Sequence, residues 1–337
     1  MSPTELSIII INWNSAELLR SCLRSIYANT CGISYEIIVL DNASYDGSAE
    51  LVALEFPEVM FLQAERNLGF AQGNNRAVDH SSGHMLLFLN ADTEVPGPAI
   101  QQMVACMNSL PGAGALGPKL LRSDGSLQTN CIQAFPTITN QLLDSNYLRV
   151  KFPRWSLWGS RSVYDEQPHP TPVDGVVGAC LMIRRNVFDQ AGRFNPAYFM
   201  YAEDMDLCFK VQQLKKTNYY IGAAVVIHHG GRSASASSDR QWSHVVSKAS
   251  TLQFMQLHRG RAYALAFRLL TAGAALGRIG AVRLASAAPG GPSRHEAYKI
   301  TLAKWTRVLK WALGREAAMV PGSGDGTGRH LIDVDQK

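Results

Sequence analysis

The chain has 337 residues, 46% of them apolar and 18% charged; this allows roughly two domains with sizeable cores and excludes collagen, a coiled coil and a wholly disordered chain. The net charge of +5 is uneven, residues 259–315 holding 11 Lys/Arg against one acid, Glu296, a block that suits an anionic partner such as a membrane surface or nucleic acid. No run of about 18 uncharged apolar residues occurs, so no conventional membrane-spanning helix is expected. The N-terminal apolar run lacks the basic flank and length of a signal peptide, which predicts a cytoplasmic location.

Leu6 to Ile11 is a continuous β-branched run, the pattern of a buried parallel strand. Asn14 or Ser15 caps a helix whose Leu18, Leu19, Cys22, Leu23, Ile26 and Tyr27 follow helical spacing. A second strand, Glu36 to Leu40, ends in Asp41-Asn42-Ala43-Ser44. A helix over Ser48 to Leu54 and a strand over 59–62 follow. A polar Gly-rich turn, Glu65 to Asn75, leads into a helix. The strand His84 to Leu89 ends in Asn90-Ala91-Asp92. Strands alternating with helices predict a mainly parallel sheet with right-handed crossovers. Ligands of such sheets sit beyond the carboxyl ends of the strands, where Asn12, Asp41, Asn67 and Asp92 fall.

Residues 123–173 contain Pro136, Pro153, Pro168, Pro170 and Pro172 and read as loops and short helices. Regular structure resumes at Val176 to Ile183, with a helix at 204–214 and a strand at 219–227 ending on His228. Ser233 to Ser238 marks a boundary. The pattern is then helical to about residue 313, and the end is expected to be disordered. Cys22, Cys31, Cys106, Cys131, Cys180 and Cys208 form no C-x-x-C pair and read as buried free thiols rather than a zinc or disulfide framework.

Four clusters carry chemistry, each with a plain alternative. Asn90 and Asp92 point the same way along an extended segment and suit Mg²⁺ or Mn²⁺, or they are an ordinary turn. Asp41 accepts hydrogen bonds from a base or ribose, or forms an Asx-turn. Glu203-Asp204-Met205-Asp206 supplies a general base, or acids that favour a helix N-terminus. His228-His229-Gly230-Gly231 ligates a metal, or is structural. Gly112 to Gly117 matches G-x-G-x-x-G, but a helix and Pro111 precede it and Pro118 follows, so dinucleotide binding is rejected there.

The segments SIIIINWNS, EIIVLDNAS, ERNLGFAQGNN, LLFLNADT, GALGPKLLRSDGSLQ, VGACLMIRR, FMYAEDMDLC and HHGGRS occur in that order. Together they resemble the family 2 glycosyltransferases of the GT-A fold, most nearly a rhamnosyltransferase-like branch, over residues 5–235. The resemblance implies an α/β GT-A domain at 1–235, and the helical pattern, charge and composition add a helical basic extension at 236–318 and a disordered tail at 319–337. It implies inverting transfer of a sugar, dTDP-rhamnose being the favoured donor, with UDP-hexose and UDP-galactofuranose left open. The acceptor would be a saccharide or a polyprenyl-linked glycan of bacterial surface polysaccharide. Asp41 would meet the pyrimidine, with Asn12, Asn42, Arg66, Asn67, Gly69 and Asn74 near the nucleotide and Gly178 and Ala179 lining the sugar pocket. Asn90 and Asp92 match the DxD position, His228 would complete a Mg²⁺ or Mn²⁺ site, Asp204 would be the base, and Glu203 and Asp206 would orient acceptor or backbone. Asn90 departs from the strict pattern and leaves Asp92 to hold the metal almost alone. A non-catalytic nucleotide-sugar-binding protein on the same fold is the alternative.

Within residues 298–313, Lys299, Lys304, Arg307 and Lys310 share one helical arc, and Tyr298, Leu302, Trp305, Val308, Leu309, Ala312 and Leu313 the opposite one. Such a helix lies on a membrane surface or packs its apolar arc on the protein. No RNP, KH or zinc-finger pattern supports nucleic-acid binding.

Overall fold

The structure is a computed structural model that describes residues 4–143, 151–152, 155, 169–230, 242–287, 292–321 and 329–331. The chain forms two compact units, residues 1–135, 147–199 and 203–236 in the first and 136–146, 200–202 and 237–337 in the second.

The first unit is built on one sheet. Strand β1 (Leu6–Asn12) is followed by α1 (Ala16–Asn29), β2 (Tyr35–Asp41), α2 (Ser48–Glu55), β3 (Met60–Gln63), α3 (Gly69–Val78) and β4 (Met85–Asn90). Next come β5 (Thr93–Glu94), α4 (Ala99–Ser109), β6 (Ala113–Leu121), β7 (Ile132–Gln133), β8 (Thr171–Val173), β9 (Gly175–Val176) and β10 (Cys180–Arg184). Helices α5 (Arg185–Gln190) and α6 (Glu203–Gln213) and strand β11 (Thr217–His228) complete it. The strand order is β3-β2-β1-β4-β10-β6-β11-β5, with β8 beside β11. It is parallel from β3 to β4, while β10, β5 and β8 run antiparallel to their neighbours. Hydrophobic pattern reveals burial but not direction, so Cys180–Arg184 reads the same either way.

The register sets the site. Asn12 pairs with Asp41, Asp41 with Gln63, and Ile11 with Asn90, so polar residues line up along the carboxyl end of the parallel strands. Behind them, Leu6, Ile8, Ile9 and Ile10 are fully buried in one core cluster with Leu19, Cys22, Leu23 and Ile26 of α1, each such side chain contributing about 1.5–3 kcal/mol when removed from water.

Three expectations are corrected here. Helix α3 starts at Gly69, inside the stretch read as a turn: Asn67 Oδ1 accepts the Gly69 N–H at 2.9 Å, so the polar residues before it initiate the helix rather than delay it. Cys31 is exposed and Cys106 half-buried, while the other cysteines are buried. At the chain end, Met319–Pro321 pairs antiparallel with Arg329–Leu331 where disorder was expected; the rest of 319–337, from 322 to 328 and 332 to 337, lies outside the described residues, as does the boundary expected at Ser233 to Ser238. The G-x-G-x-x-G run forms the start of β6. A Cβ on its Gly114 would sit 2.3 Å from Val211 and one on Gly117 2.6 Å from Val176, so these glycines serve packing.

The second unit holds α7 (Ile138–Leu142), α8 (Trp242–Arg259), α9 (Arg261–Ser286), α10 (Pro292–Ala312), β12 (Met319–Pro321) and β13 (Arg329–Leu331). Helix α9 is apolar and long enough to cross a membrane by length and composition, although it contains no uncharged run of about 18 residues. Arg268 and Arg278 break its uncharged runs and hide it from a simple scan. In α10, Val308, Trp311 and Ala312 are buried, so part of the predicted apolar arc packs within the unit.

Candidate active site

Asn12, at the end of β1, is buried and donates Nδ2 to Asp41 Oδ1 at 2.7 Å and to Ser48 Oγ at 2.9 Å. Asp41 Oδ2 accepts from the Ser44 N–H at 2.7 Å and from Gln63 Nε2 at 2.8 Å. Asp41 thus closes the turn at 41–44 by accepting from the N–H three residues on, and of these donors the Gln63 side chain is exposed. Asn42 clamps the start of α3 on both sides, its Oδ1 accepting from Leu68 N at 3.1 Å and its Nδ2 donating to Gly69 O at 3.2 Å. Asn74 donates to Phe70 O one turn back, so its amide serves its own helix. Arg66 is exposed. Gly69 has φ +76°, and a Cβ there would stand 2.4 Å from Phe199 O; only glycine fits.

At the ends of β4 and β11, His228 Nε2 stands 3.2 Å from Asp92 Oδ1 and 3.4 Å from Asn90 Nδ2. The other imidazole nitrogen, Nδ1, lies 2.8 Å from Gln128 Oε1. An acceptor at that position requires a proton on Nδ1. Nε2 then faces the Asn90 amide and the Asp92 carboxylate, a pairing of imidazole and carboxylate that a cation between them would stabilise. One hard carboxylate and one imidazole fit Mg²⁺ or Mn²⁺ as a partial shell, which phosphate oxygens and water would complete. No group of three or more His, Cys, Asp or Glu that could hold a metal occurs among the described residues, and Asn90 beside Asp92 and His228 is an uncharged amide.

His229, next in sequence, donates its backbone N–H to Asp92 O at 2.9 Å. Its ring bridges Glu94 Oε1 (Nε2, 2.8 Å) and Ser123 Oγ (Nδ1, 2.7 Å), tying β5 and the 122–126 turn to the end of β11.

The acids open α6 after two residues with left-handed backbone, Tyr201 (φ 69°) and Ala202 (φ 65°), conformations that cost roughly 1–3 kcal/mol each and cluster at functional sites. Asp204 is buried; its Oδ2 accepts from the Gly178 N–H and its Oδ1 from its neighbour Met205 N–H, both at 2.8 Å. Desolvation raises its pKa, opposed by these N–H donors. Glu203 is pushed well above the usual carboxylate range by desolvation and then by the charge of Asp204, and its Oε2 is buried without a partner among the described residues. Asp206 faces elsewhere: Lys210 Nζ is 2.9 Å from its Oδ2, and Tyr198 OH donates to Oδ1 at 3.4 Å.

A short relay joins acids to imidazole. Asp204 holds Gly178; the next residue, Ala179, accepts from the Asn90 N–H at 3.0 Å; Asn90 reaches His228, and His228 reaches Asp92. Gln128 was missed from sequence, and His229, part of the HHGG cluster read as metal-ligating or structural, was given no role of its own. Both lie in segments carrying the resemblance, but nothing in SDGSLQ marks Gln128, and HHGG does not show that His229 contacts Glu94 and Ser123.

The family model for glycosyl transferase family 2 matches residues 7–192, and the chain belongs to that family, enzymes that transfer a sugar from a nucleotide-diphosphate donor. It is 29% identical over 212 residues to the N-acetylglucosaminyl-diphospho-decaprenol L-rhamnosyltransferase of Mycobacterium tuberculosis, the match covering 58% of this chain and 67% of that protein. It is 27% identical over 228 residues to a low-salt glycan biosynthesis hexosyltransferase of Haloferax volcanii, covering 66% of each. Among solved structures, the mannosyltransferase PcManGT from Pyrobaculum calidifontis in complex with GDP-Man and Mn²⁺ is similar with a TM-score of 0.56 at 16% identity, over 94% of this chain and 89% of that one. The fold is thus of the GT-A type.

Proposed function

We propose that the chain is an inverting rhamnosyltransferase that moves L-rhamnose from dTDP-rhamnose to a saccharide on a polyprenyl-linked carrier of bacterial surface polysaccharide. The similarity to the mycobacterial rhamnosyltransferase supports the sugar and carrier; the relay from Asp204 to Asp92 supports the site. In this reading Asp41, Asn12, Asn42, Asn67 and Gly69 hold the nucleotide end, with Arg66 beside the phosphates.

Asp204 takes the proton from the acceptor hydroxyl as that oxygen attacks the anomeric carbon. The Gly178 and Met205 N–H groups hold its carboxylate in place and oppose the desolvation that raises its pKa. Glu203, its pKa raised by desolvation and by Asp204, carries the proton of the pair and spares Asp204 a second negative neighbour. Asp92 and His228 would hold a divalent cation, whose bound chemistry is to offset the charge developing on the departing diphosphate.

Transfer of radiolabelled rhamnose to a lipid-linked acceptor tests the reading. Asp204→Asn is expected to lose turnover by at least about 10²-fold, within the range general bases supply, while donor binding persists. Near-normal turnover in Asp204→Asn, or transfer from UDP-sugars in preference to dTDP-rhamnose, would contradict it.

A further inference from the structure

Helix α9 carries five large apolar side chains that none of the described residues covers. Leu265, Leu269, Leu270, Leu276 and Leu284 are between 49% and 79% exposed. At 3.6 residues per turn they fall within one arc of about 140°. Gly273, Gly277 and Gly280 share that arc, and a Cβ on any of them would meet nothing within 4 Å. The helix contains no acid, and Arg261 and Arg283 stand exposed at its two ends near the same arc.

The opposite side is spoken for. Ala264, Phe267, Thr271, Ala275 and Ile279 are buried. Arg268 donates Nε to Ala312 O at 3.1 Å, at the end of α10, where a cation also complements the helix dipole. Arg278 donates to Leu142 O at 2.9 Å and lies 4.2 Å from the Trp305 ring centre. The two mid-helix cations therefore anchor α9 to its own unit along one side. A helix held in this way offers a bilayer its outer arc but not its whole circumference, and a spanning orientation would carry both arginines into hydrocarbon.

We infer that the outer arc of α9 is a membrane-docking surface that lies in the plane of an anionic lipid bilayer, its leucines entering the acyl boundary and Arg261 and Arg283 meeting headgroups. Charge complementarity selects the occupant: residues 259–315 hold 11 Lys/Arg and one acid, and an apolar arc with basic ends suits anionic lipid. The docking helix is thus α9, where the sequence pattern had pointed to 298–313. The lipid surface is independent of the catalytic assignments, since no residue of the candidate site lies in α9.

The test is flotation of the full chain with vesicles of phosphatidylcholine alone or mixed with phosphatidylglycerol. The native chain is expected to float with the mixed vesicles and to be released by alkaline carbonate. The double variant Leu269→Glu, Leu276→Glu is expected to lose binding by about tenfold or more with an unchanged Tm, because both side chains are exposed. The variant Lys299→Gln, Lys310→Gln on α10 is expected to lose less. No flotation of the native chain, equal flotation of the leucine variant, or retention after carbonate would overturn the inference. So would a dimer in solution that the leucine variant breaks without any vesicle binding, since a second copy would then be the occupant.

Discussion

The imidazole of His228 has two different neighbours, and the difference decides what it can do. Gln128 Oε1 at 2.8 Å accepts a hydrogen bond from Nδ1–H and leaves Nε2 facing Asp92. A hydrogen-bond partner on the far nitrogen of a metal-binding imidazole typically governs metal affinity by about 10–100-fold. Gln128→Leu is accordingly expected to raise the Mn²⁺ concentration for half-maximal activity by about tenfold and to weaken Mn²⁺ binding measured by electron paramagnetic resonance. Gln128→Glu, which still accepts the proton, is expected to restore both; unchanged Mn²⁺ binding in the leucine variant would contradict the role. Asp206 shows a different economy. Buried and paired with Lys210, it holds α6 rather than substrate, and Asp206→Ala is expected to destabilise the fold by about 3 kcal/mol in urea unfolding, with loss of activity only as far as folding is lost. Asp204 sets the pH response. Desolvation raises its pKa, so falling pH protonates the base early, and the acid limb of kcat/KM should lie above the ordinary carboxylate value of about 4. Since burial is the cause, Glu203→Gln should leave that limb nearly in place.

Helices and strands differ in how openly the sequence declares them. β1, β2 and β4 are legible because continuous β-branched or apolar runs end in Asn or Asp, and those ends are where Asn12, Asp41 and Asn90 fall into register. The start of α3 is hidden, because Asn and Gly are poor helix formers and only the hydrogen bonds that Asn42 and Asn67 accept from Leu68 N–H and Gly69 N–H show that a helix begins there. The chemistry of Asp92 and His228 could be guessed from residue type, whereas Gln128 and the Glu94–His229–Ser123 bridge depend on long-range pairing of β5, β11 and the 122–126 turn, which no local pattern encodes. The α3 start also carries a prediction. Gly69→Ala places a methyl group against Phe199 O in a left-handed conformation, and should cost at least about 1 kcal/mol while raising KM for the donor more than it lowers kcat; stability and kinetics equal to those of the native chain would contradict the geometry.

Across the whole molecule, chemistry and charge are segregated. The first unit gathers the buried carboxylates and the imidazole; the basic block lies in residues 259–315 of the second. What makes the first unit an enzyme in this account is that Asp92 and Asp204, 112 positions apart in the sequence, serve one bound donor in different capacities. Calorimetric titration of dTDP-rhamnose with and without Mn²⁺ measures this directly in the native chain, Asp92→Asn and Asp204→Asn. The account predicts that Asp204→Asn retains native donor affinity and its Mn²⁺ enhancement, and that Asp92→Asn loses the enhancement. Loss of donor binding in both variants alike, or an undiminished Mn²⁺ effect in Asp92→Asn, would contradict it.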